Sequence, residues 1–241
     1  MDIGADFESK LLSTEYGRLH YLHHAAEGKT IIFIHGFAGS VRTWTRLLAH
    51  IPESLNVYLV DLLGHGDSDA PEIEYSLKMH CDTLEKLVDS EMLKKYSLFG
   101  HSYGGWLAAY FAAHNNPSGI ILEDSAGLSE LYQEREVLNP NYREVLIKKG
   151  MELNPREDVL RSMLSTDNSQ AYLTRDLLES IESKTLILWG SQDSTVNPKY
   201  AVIFNRHIKG SKLRMIEGSR HTPHYSNPET VANALLNFLN E

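Results

Sequence analysis

A single cysteine, Cys81, occurs in 241 residues, so no internal disulfide can form and the fold must rest on packing alone. That usage suits a reducing compartment, and a cytoplasmic location is expected. Cys81 itself reads as a small buried hydrophobe. Long apolar runs are equally scarce. The longest is the eight residues from Trp106, far short of the roughly 20 that cross a bilayer. The opening residues, Met1-Asp2-Ile3-Gly4-Ala5-Asp6, are acidic and lack the apolar centre of a signal peptide. Neither a membrane span nor a signal peptide is expected. Basic residues are in deficit: 23 Lys and Arg stand against 32 Asp and Glu, a net charge of -9. That balance argues against nucleic acid and anionic membranes as partners and reads as a solubility charge. Internal repeats and low-complexity tracts are missing. His20, His23 and His24 cluster on an N-terminal strand, Leu19 to His23, without a carboxylate or cysteine at ligand spacing, so no metal site is expected there.

What is present is an alternation. Short apolar segments at Thr30 to Ile34, Val57 to Val60, Tyr96 to Phe99, Gly119 to Leu122, Thr185 to Trp189 and Leu213 to Ile216 are mostly separated by helical stretches. Strands joined through helices make crossovers, hence a mainly parallel sheet flanked by helices in an α/β domain. The length fits one domain with a full core. The rhythm breaks once, between 128 and 182, where 55 residues carry only charged amphipathic pieces at Tyr142 to Met151, Arg156 to Leu164 and Gln170 to Ile181. Pro140 and Pro155 punctuate them. Leu138, Leu146, Met151, Leu160, Met163 and Leu164 are candidates both for lining an acyl pocket and for the buried faces of those helices.

Gly100-His101-Ser102-Tyr103-Gly104 sets a serine between glycines, directly after an apolar strand and before the helix Trp106 to Ala113. The chain must turn sharply there, and the glycines leave room for the bend. A serine so lifted out of a sheet edge, beside a helix N-terminus, is placed to attack carbonyl carbon. It needs a base and an orienting carboxylate. Asp193 follows the strand Thr185 to Trp189 and His221 follows Lys212 to Ile216, so each stands past the end of its own strand. That is where an open parallel sheet gathers its working side chains. Asp193 can instead cap the helix that follows, with Asn197-Pro198 doing the rest. Asp124, after the strand Ile120 to Leu122, is a rival acid; it leads into Ser125-Ala126-Gly127, where a carboxylate can cap local N–H groups as an exposed cap. His224 rivals His221 more weakly, as a structural hydrogen-bonder or pocket wall. His101 and His65 read as packing and turn support, and Trp44, Trp106 and Trp189 as core.

Together with His35-Gly36-Phe37 followed by Ser40 and Trp44, the turn Asp61-Leu62-Leu63-Gly64-His65-Gly66-Asp67-Ser68, and His221-Thr222-Pro223-His224 followed by Asn227-Pro228-Glu229, these motifs resemble the alpha/beta-hydrolase superfamily along nearly the whole chain. The resemblance implies an alpha/beta-hydrolase core at 1–127 and 183–241, with a helical lid at 128–182 inserted after the sixth core strand. It also implies a Ser102, His221, Asp193 triad. The backbone N–H groups of Tyr103 and Phe37 would then receive an oxyanion, with no metal or organic cofactor. The expected activity is a serine esterase cleaving small-molecule carboxylic esters of short to medium acyl chain. Carbon-carbon bond hydrolases, thioesterases and hydroxynitrile lyases share the triad, and a slow-turnover ligand receptor is a further alternative. An elbow serine speaks against haloalkane dehalogenases and epoxide hydrolases of this fold, which use aspartate there. Proline iminopeptidases commonly carry Gly-Gly-Ser-Trp-Gly at the elbow, which this chain lacks.

Overall fold

Alternate residues along the central strands enter opposite cores, and that two-residue period organises the molecule. Ile32, Ile34, Leu98, Ile120, Leu122 and Ile187 pack on one face, and Ile31, Phe33, Phe99, Ile121, Leu186 and Leu188 on the other. The computed structural model describes residues 6–129 and 140–241. Eight strands form one sheet: β1 (Glu8–Thr14), β2 (Gly17–His24), β3 (Thr30–Ile34), β4 (Asn56–Asp61), β5 (Tyr96–His101), β6 (Gly119–Glu123), β7 (Lys184–Gly190) and β8 (Lys212–Ile216). Their order is β1-β2-β4-β3-β5-β6-β7-β8. β2 runs antiparallel to β1 and β4, and every other neighbouring pair is parallel. This is an alpha/beta-hydrolase sheet, flanked by helices as the alternation implies.

The helices used below are α1 (Thr45–Leu48), α2 (Leu77–Ser90), α3 (Tyr103–Asn115), α4 (Pro140–Gly150), α5 (Glu157–Ser165), α6 (Arg175–Glu179), α7 (Lys199–His207), α8 (Pro223–Ser226) and α9 (Pro228–Asn240). α3 is apolar all round and buries Leu107 and Phe111 against one face of the sheet, whereas α9 covers the other with Val231, Leu235 and Phe238. Three corrections to the sequence reading follow. β1 is an additional strand: its residues alternate between half-buried and exposed, so an edge strand leaves little hydrophobic period to read. α3 begins three residues earlier than Trp106. The stretch Gln170 to Ile181 is not one helix, because Leu173 N–H bonds the Gly127 carbonyl at 2.8 Å, holding the chain extended beside Leu128. Only Arg175–Glu179 is helical after it, capped by Thr174.

Between β6 and β7 the described residues are thus helical, in α4, α5 and α6. Leu138 lies outside the described residues. Val159, Met163, Leu173 and Leu178 belong to the same core cluster as α3, so this segment is packed into the body of the fold. Cys81 is buried, which pushes its thiol up to about 12. Among the described residues no helix is long and apolar enough to cross a membrane.

Asp61, the last residue of β4, ties the sheet to the loops above it. Its buried carboxylate accepts from Val41 N–H at 2.7 Å, Asp67 N–H at 3.0 Å and His20 Nδ1 at 2.7 Å. His20 therefore has a carboxylate partner that its local sequence does not reveal. Burial pushes the Asp61 carboxyl up, but the hydrogen bond from His20 and the two backbone donors outweigh it, leaving it below the usual carboxylate range. Asp61→Asn is expected to lower the unfolding free energy at neutral pH by about 1 to 3 kcal/mol. A carboxyl depressed in the folded state contributes stability above its unfolded pKa of about 3.9 and loses it as pH falls through the folded value. Urea unfolding should therefore show the gap between the two proteins closing as pH falls below the ordinary carboxylate range.

Candidate active site

Ser102 joins β5 to α3 with φ 52° and ψ -112°, a left-handed conformation that a serine adopts only under constraint. Neighbouring backbone permits no side chain beside it: a Cβ on Gly100 would lie 2.1 Å from the Gly104 carbonyl oxygen, and one on Gly104 would lie 2.2 Å from that of Ile34. The turn is then fixed by hydrogen bonds. Ser102 N–H donates to the Glu123 carbonyl at 2.9 Å, and the Ser102 carbonyl accepts from Trp106 N–H and Ala126 N–H at 3.0 Å each. Strain of this kind costs about 1 to 3 kcal/mol and persists only where surroundings over-determine it.

The three residues singled out in the sequence meet. His221 Nε2 lies 3.0 Å from Ser102 Oγ, and His221 Nδ1 lies 2.8 Å from Asp193 Oδ2. With Asp193 ionised, Nδ1 carries the proton and Nε2 is left to accept from the serine hydroxyl. The other Asp193 oxygen accepts from Thr195 N–H at 2.7 Å and Val196 N–H at 3.0 Å. Capping and histidine orientation are thus both served by one carboxylate, each oxygen having its own partners.

Asp124 stands apart from this chain of bonds. Its Oδ1 accepts from Gly190 N–H at 2.8 Å, while Oδ2 is buried without a partner. The sequence reading of an exposed cap is corrected here, since Asp124 is fully buried and has φ 46°. Burial, then the neighbouring charges of Glu123 and Asp193, push its carboxyl well above the usual range, which favours the neutral acid.

Two supports lie beneath His221. His101 Nε2 donates to the His221 carbonyl at 2.7 Å, and burial, with His224 and His221 alongside, holds the His101 imidazole well below its ordinary range and therefore neutral. His224 bonds Glu123 through both its backbone N–H, at 2.9 Å, and its ring Nδ1. Glu123, which sequence reasoning missed, is a carboxylate ending an otherwise apolar strand; that isolated charge was the available signal. His224 and His101 take the supporting places expected of them.

The loop after β3 abuts the elbow. A Cβ on Gly36 would lie 3.2 Å from Ser102 Cβ and 2.8 Å from His101 Nδ1. His35 anchors that loop: Nδ1–H donates to the Gly36 carbonyl at 2.8 Å, and Nε2 accepts from Leu62 N–H at 3.1 Å. Phe37 N–H has no acceptor among the described residues, and Tyr103 opens α3, where N–H groups precede the intrahelical ladder. His65 is buried and its Nε2 lacks a partner; burial, then His35 and His80, holds it well below the usual range.

Above Ser102 lies a cavity of about 400 Å³. Phe37, Trp106, Leu146, Met163, Leu164 and Tyr172 supply its largest apolar walls, with Ser102 and His221 at its base. Trp106 is therefore a pocket wall as well as core, whereas Trp44 and Trp189 are fully buried. Leu160 is buried and Met151 exposed, so neither lines the cavity. Among the described residues, three groups bring His and carboxylate ligand atoms within 4.8 Å: His101, Asp124 and His221; His101, Glu123 and His224; and His20, Asp61 and Asp67. Each contains atoms already engaged, His221 with Asp193, His224 with Glu123 and His20 with Asp61.

Comparison with known proteins agrees with this architecture. Residues 31–234 match the model of the alpha/beta hydrolase family. A putative 2-succinyl-6-hydroxy-2,4-cyclohexadiene-1-carboxylate synthase of Bacillus subtilis is 33% identical over 252 residues, covering 88% of this chain and 90% of that protein. A pimeloyl-[acyl-carrier protein] methyl ester esterase of Neisseria meningitidis is 22% identical over 244 residues, covering 88% and 93%. A putative lipase from Acinetobacter baumannii superposes with a TM-score of 0.81 at 22% identity, over 98% of this chain and 92% of that one, a likeness of fold. The family model spans most of the sheet and both strand ends that carry Ser102 and Asp193, and on that match the chain belongs to the alpha/beta hydrolase family.

Proposed function

We propose that this protein is a serine hydrolase of carboxylic esters with short to medium acyl chains, acting through an acyl-enzyme. The observation that carries the reading is the unbroken hydrogen-bond chain from Asp193 through His221 to Ser102, at 2.8 and 3.0 Å, opening into a largely apolar cavity. In this scheme Ser102 Oγ attacks the ester carbonyl as His221 Nε2 takes its proton. Asp193 stabilises the imidazolium and does not itself become protonated. The oxyanion is received by the Phe37 and Tyr103 N–H groups. His221 returns the proton to the departing alkoxide. Water then enters, His221 takes its proton, and the second tetrahedral species collapses to the acid and free Ser102.

The segment 128–182 is proposed as the lid, with 1–127 and 183–241 as the core. Its cavity-facing residues Leu146, Met163 and Leu164 then set acyl length. A second reading is favoured by the 33% identical relative, named a putative 2-succinyl-6-hydroxy-2,4-cyclohexadiene-1-carboxylate synthase: the same site would then act on a cyclic carboxylate rather than on a simple ester. A series of p-nitrophenyl esters from acetate to decanoate separates the two. Sustained turnover with a chain-length optimum supports the esterase; no turnover on any member supports the second reading, and a single burst supports a ligand receptor.

Two further outcomes follow. Leu146→Trp should shift the optimum to shorter chains while the acetate ester stays within about threefold, since removing cavity volume penalises only acyl groups that reach it. An unchanged profile in the folded variant would remove Leu146 from the acyl site. For the acids, Asp193→Asn should lower kcat by roughly 10⁴-fold, because the amide favours the wrong imidazole tautomer. Asp124→Asn should remain within about 10-fold, since an amide keeps the acceptor for Gly190 N–H and replaces an acid whose neutral form is already favoured. Steady-state kcat after circular dichroism of both variants decides; a crippled Asp124→Asn would move the orienting acid to β6.

A further inference from the structure

The cavity walls carry charge of one sign. Arg143 and Lys149, both on α4, line the cavity, and no Asp or Glu among the described residues does so. This is contrary to expectation for a chain of net charge -9. The sorting is visible within α4 itself. Its one acid, Glu144, points to Arg161, whose Nη1 bonds it at 2.6 Å, whereas Arg143 and Lys149 have no carboxylate partner within 4.0 Å among the described residues. Tyr142, Leu146 and Lys149 follow helical spacing along α4, and with Arg143 they line the cavity. Gly150 brings the end of this helix close: a Cβ there would lie 3.1 Å from both Ala38 and Phe37, on the loop beside Ser102. Arg143 is half-buried and close enough to Tyr172, another cavity wall, for its charge to lower that phenol, against the larger upward pushes of burial and of Asp167, which does not itself line the cavity. Half-buried Arg143 and exposed Lys149 thus bring a guanidinium and an ammonium to the edge of a largely apolar cavity whose described lining residues include no carboxylate, a setting suited to an anion.

We infer that the acyl group this enzyme accepts carries a carboxylate at its far end, held by Arg143 and Lys149 while the ester carbonyl sits at Ser102. The inference rests on the ester reading for its chemistry and on α4 for its specificity. A dicarboxylic half-ester fits: apolar methylenes cross the cavity between two polar ends. A methylene chain of four places the second carboxylate about 6 Å from the ester carbonyl carbon.

The test pairs mono-p-nitrophenyl adipate with p-nitrophenyl hexanoate. The wild-type protein should favour the adipate ester by at least about tenfold in kcat/KM, equivalent to about 1.4 kcal/mol, and the preference should weaken as salt rises. In Arg143→Gln/Lys149→Gln the preference should fall to about twofold or less, with the hexanoate ester within about threefold of wild type. Equal rates on the two esters in the wild type, or a variant that slows both alike, would overturn the anion site while leaving the esterase standing. Binding is read independently by calorimetry of monomethyl adipate and methyl hexanoate on Ser102→Ala, which needs no turnover. Tighter binding of the adipate there, with no hydrolysis of either ester by the wild type, would keep the anion site and overturn the esterase. Inorganic phosphate binding more tightly than monomethyl adipate would overturn the carboxylate assignment in favour of a phosphate-bearing ligand.

Discussion

The left-handed turn at Ser102 is the constraint on which the rest of the site depends. Its conformation is unfavourable in isolation, and it is met by absent side chains at Gly100 and Gly104 together with backbone bonds from Glu123, Trp106 and Ala126. Trp106 supplies its bond from α3 itself, but the other two come from β6 and the chain just beyond it, so the elbow is fully held only when the parallel sheet has formed. The same parallel pairing sets β6, β7 and β8 in sequence beyond β5, and their ends deliver Glu123, Asp193 and His221 toward one edge. Local strain and global topology are therefore linked.

Electrostatics beneath the elbow are resolved by giving each group a different partner. Burial, and then the nearby carboxylates of Glu123 and Asp193, disfavour ionisation of Asp124. Glu123 is matched to His224, Asp193 to His221 and two backbone N–H groups, and Asp124, with one hydrogen bond and one orphan oxygen, favours the neutral form. His101, deeply buried between two other imidazoles, stays neutral and spends its proton on the His221 carbonyl. The outcome is a partly accessible imidazole, His221, with Nδ1 held by Asp193 and Nε2 beside Ser102 Oγ.

Much of this was legible in the sequence because it is local. The elbow, the strand preceding each of Asp193 and His221, and the alternation of β3 to β8 with helices are patterns within about ten residues, where period and turn chemistry operate. What was not legible depends on distant pairing. Glu123 and His224 are 101 residues apart, His20 meets Asp61 across a strand pair, and Asp124 looks like a loop residue until β7 buries it. β1 carries little apolar stripe because, as an edge strand, it only half-buries one face, with Leu12 alone of its apolar residues packed against the core. The break in Gln170 to Ile181 comes from a bond to Gly127 that no propensity encodes. Arg143 and Lys149 read as ordinary solvated charges on an amphipathic helix; only the fold shows that their face looks onto Ser102's cavity.

The central claim is that Ser102 is the atom donor of a covalent intermediate, and the most direct measurement is the site of modification by a fluorophosphonate. Peptide mass spectrometry of the full-length protein should find one adduct per chain, on Ser102 alone. Ser102→Ala should be unlabelled, folded, and slower in kcat by roughly 10⁶-fold. Stoichiometric labelling at another residue, or ordinary turnover by the alanine protein, would contradict the account.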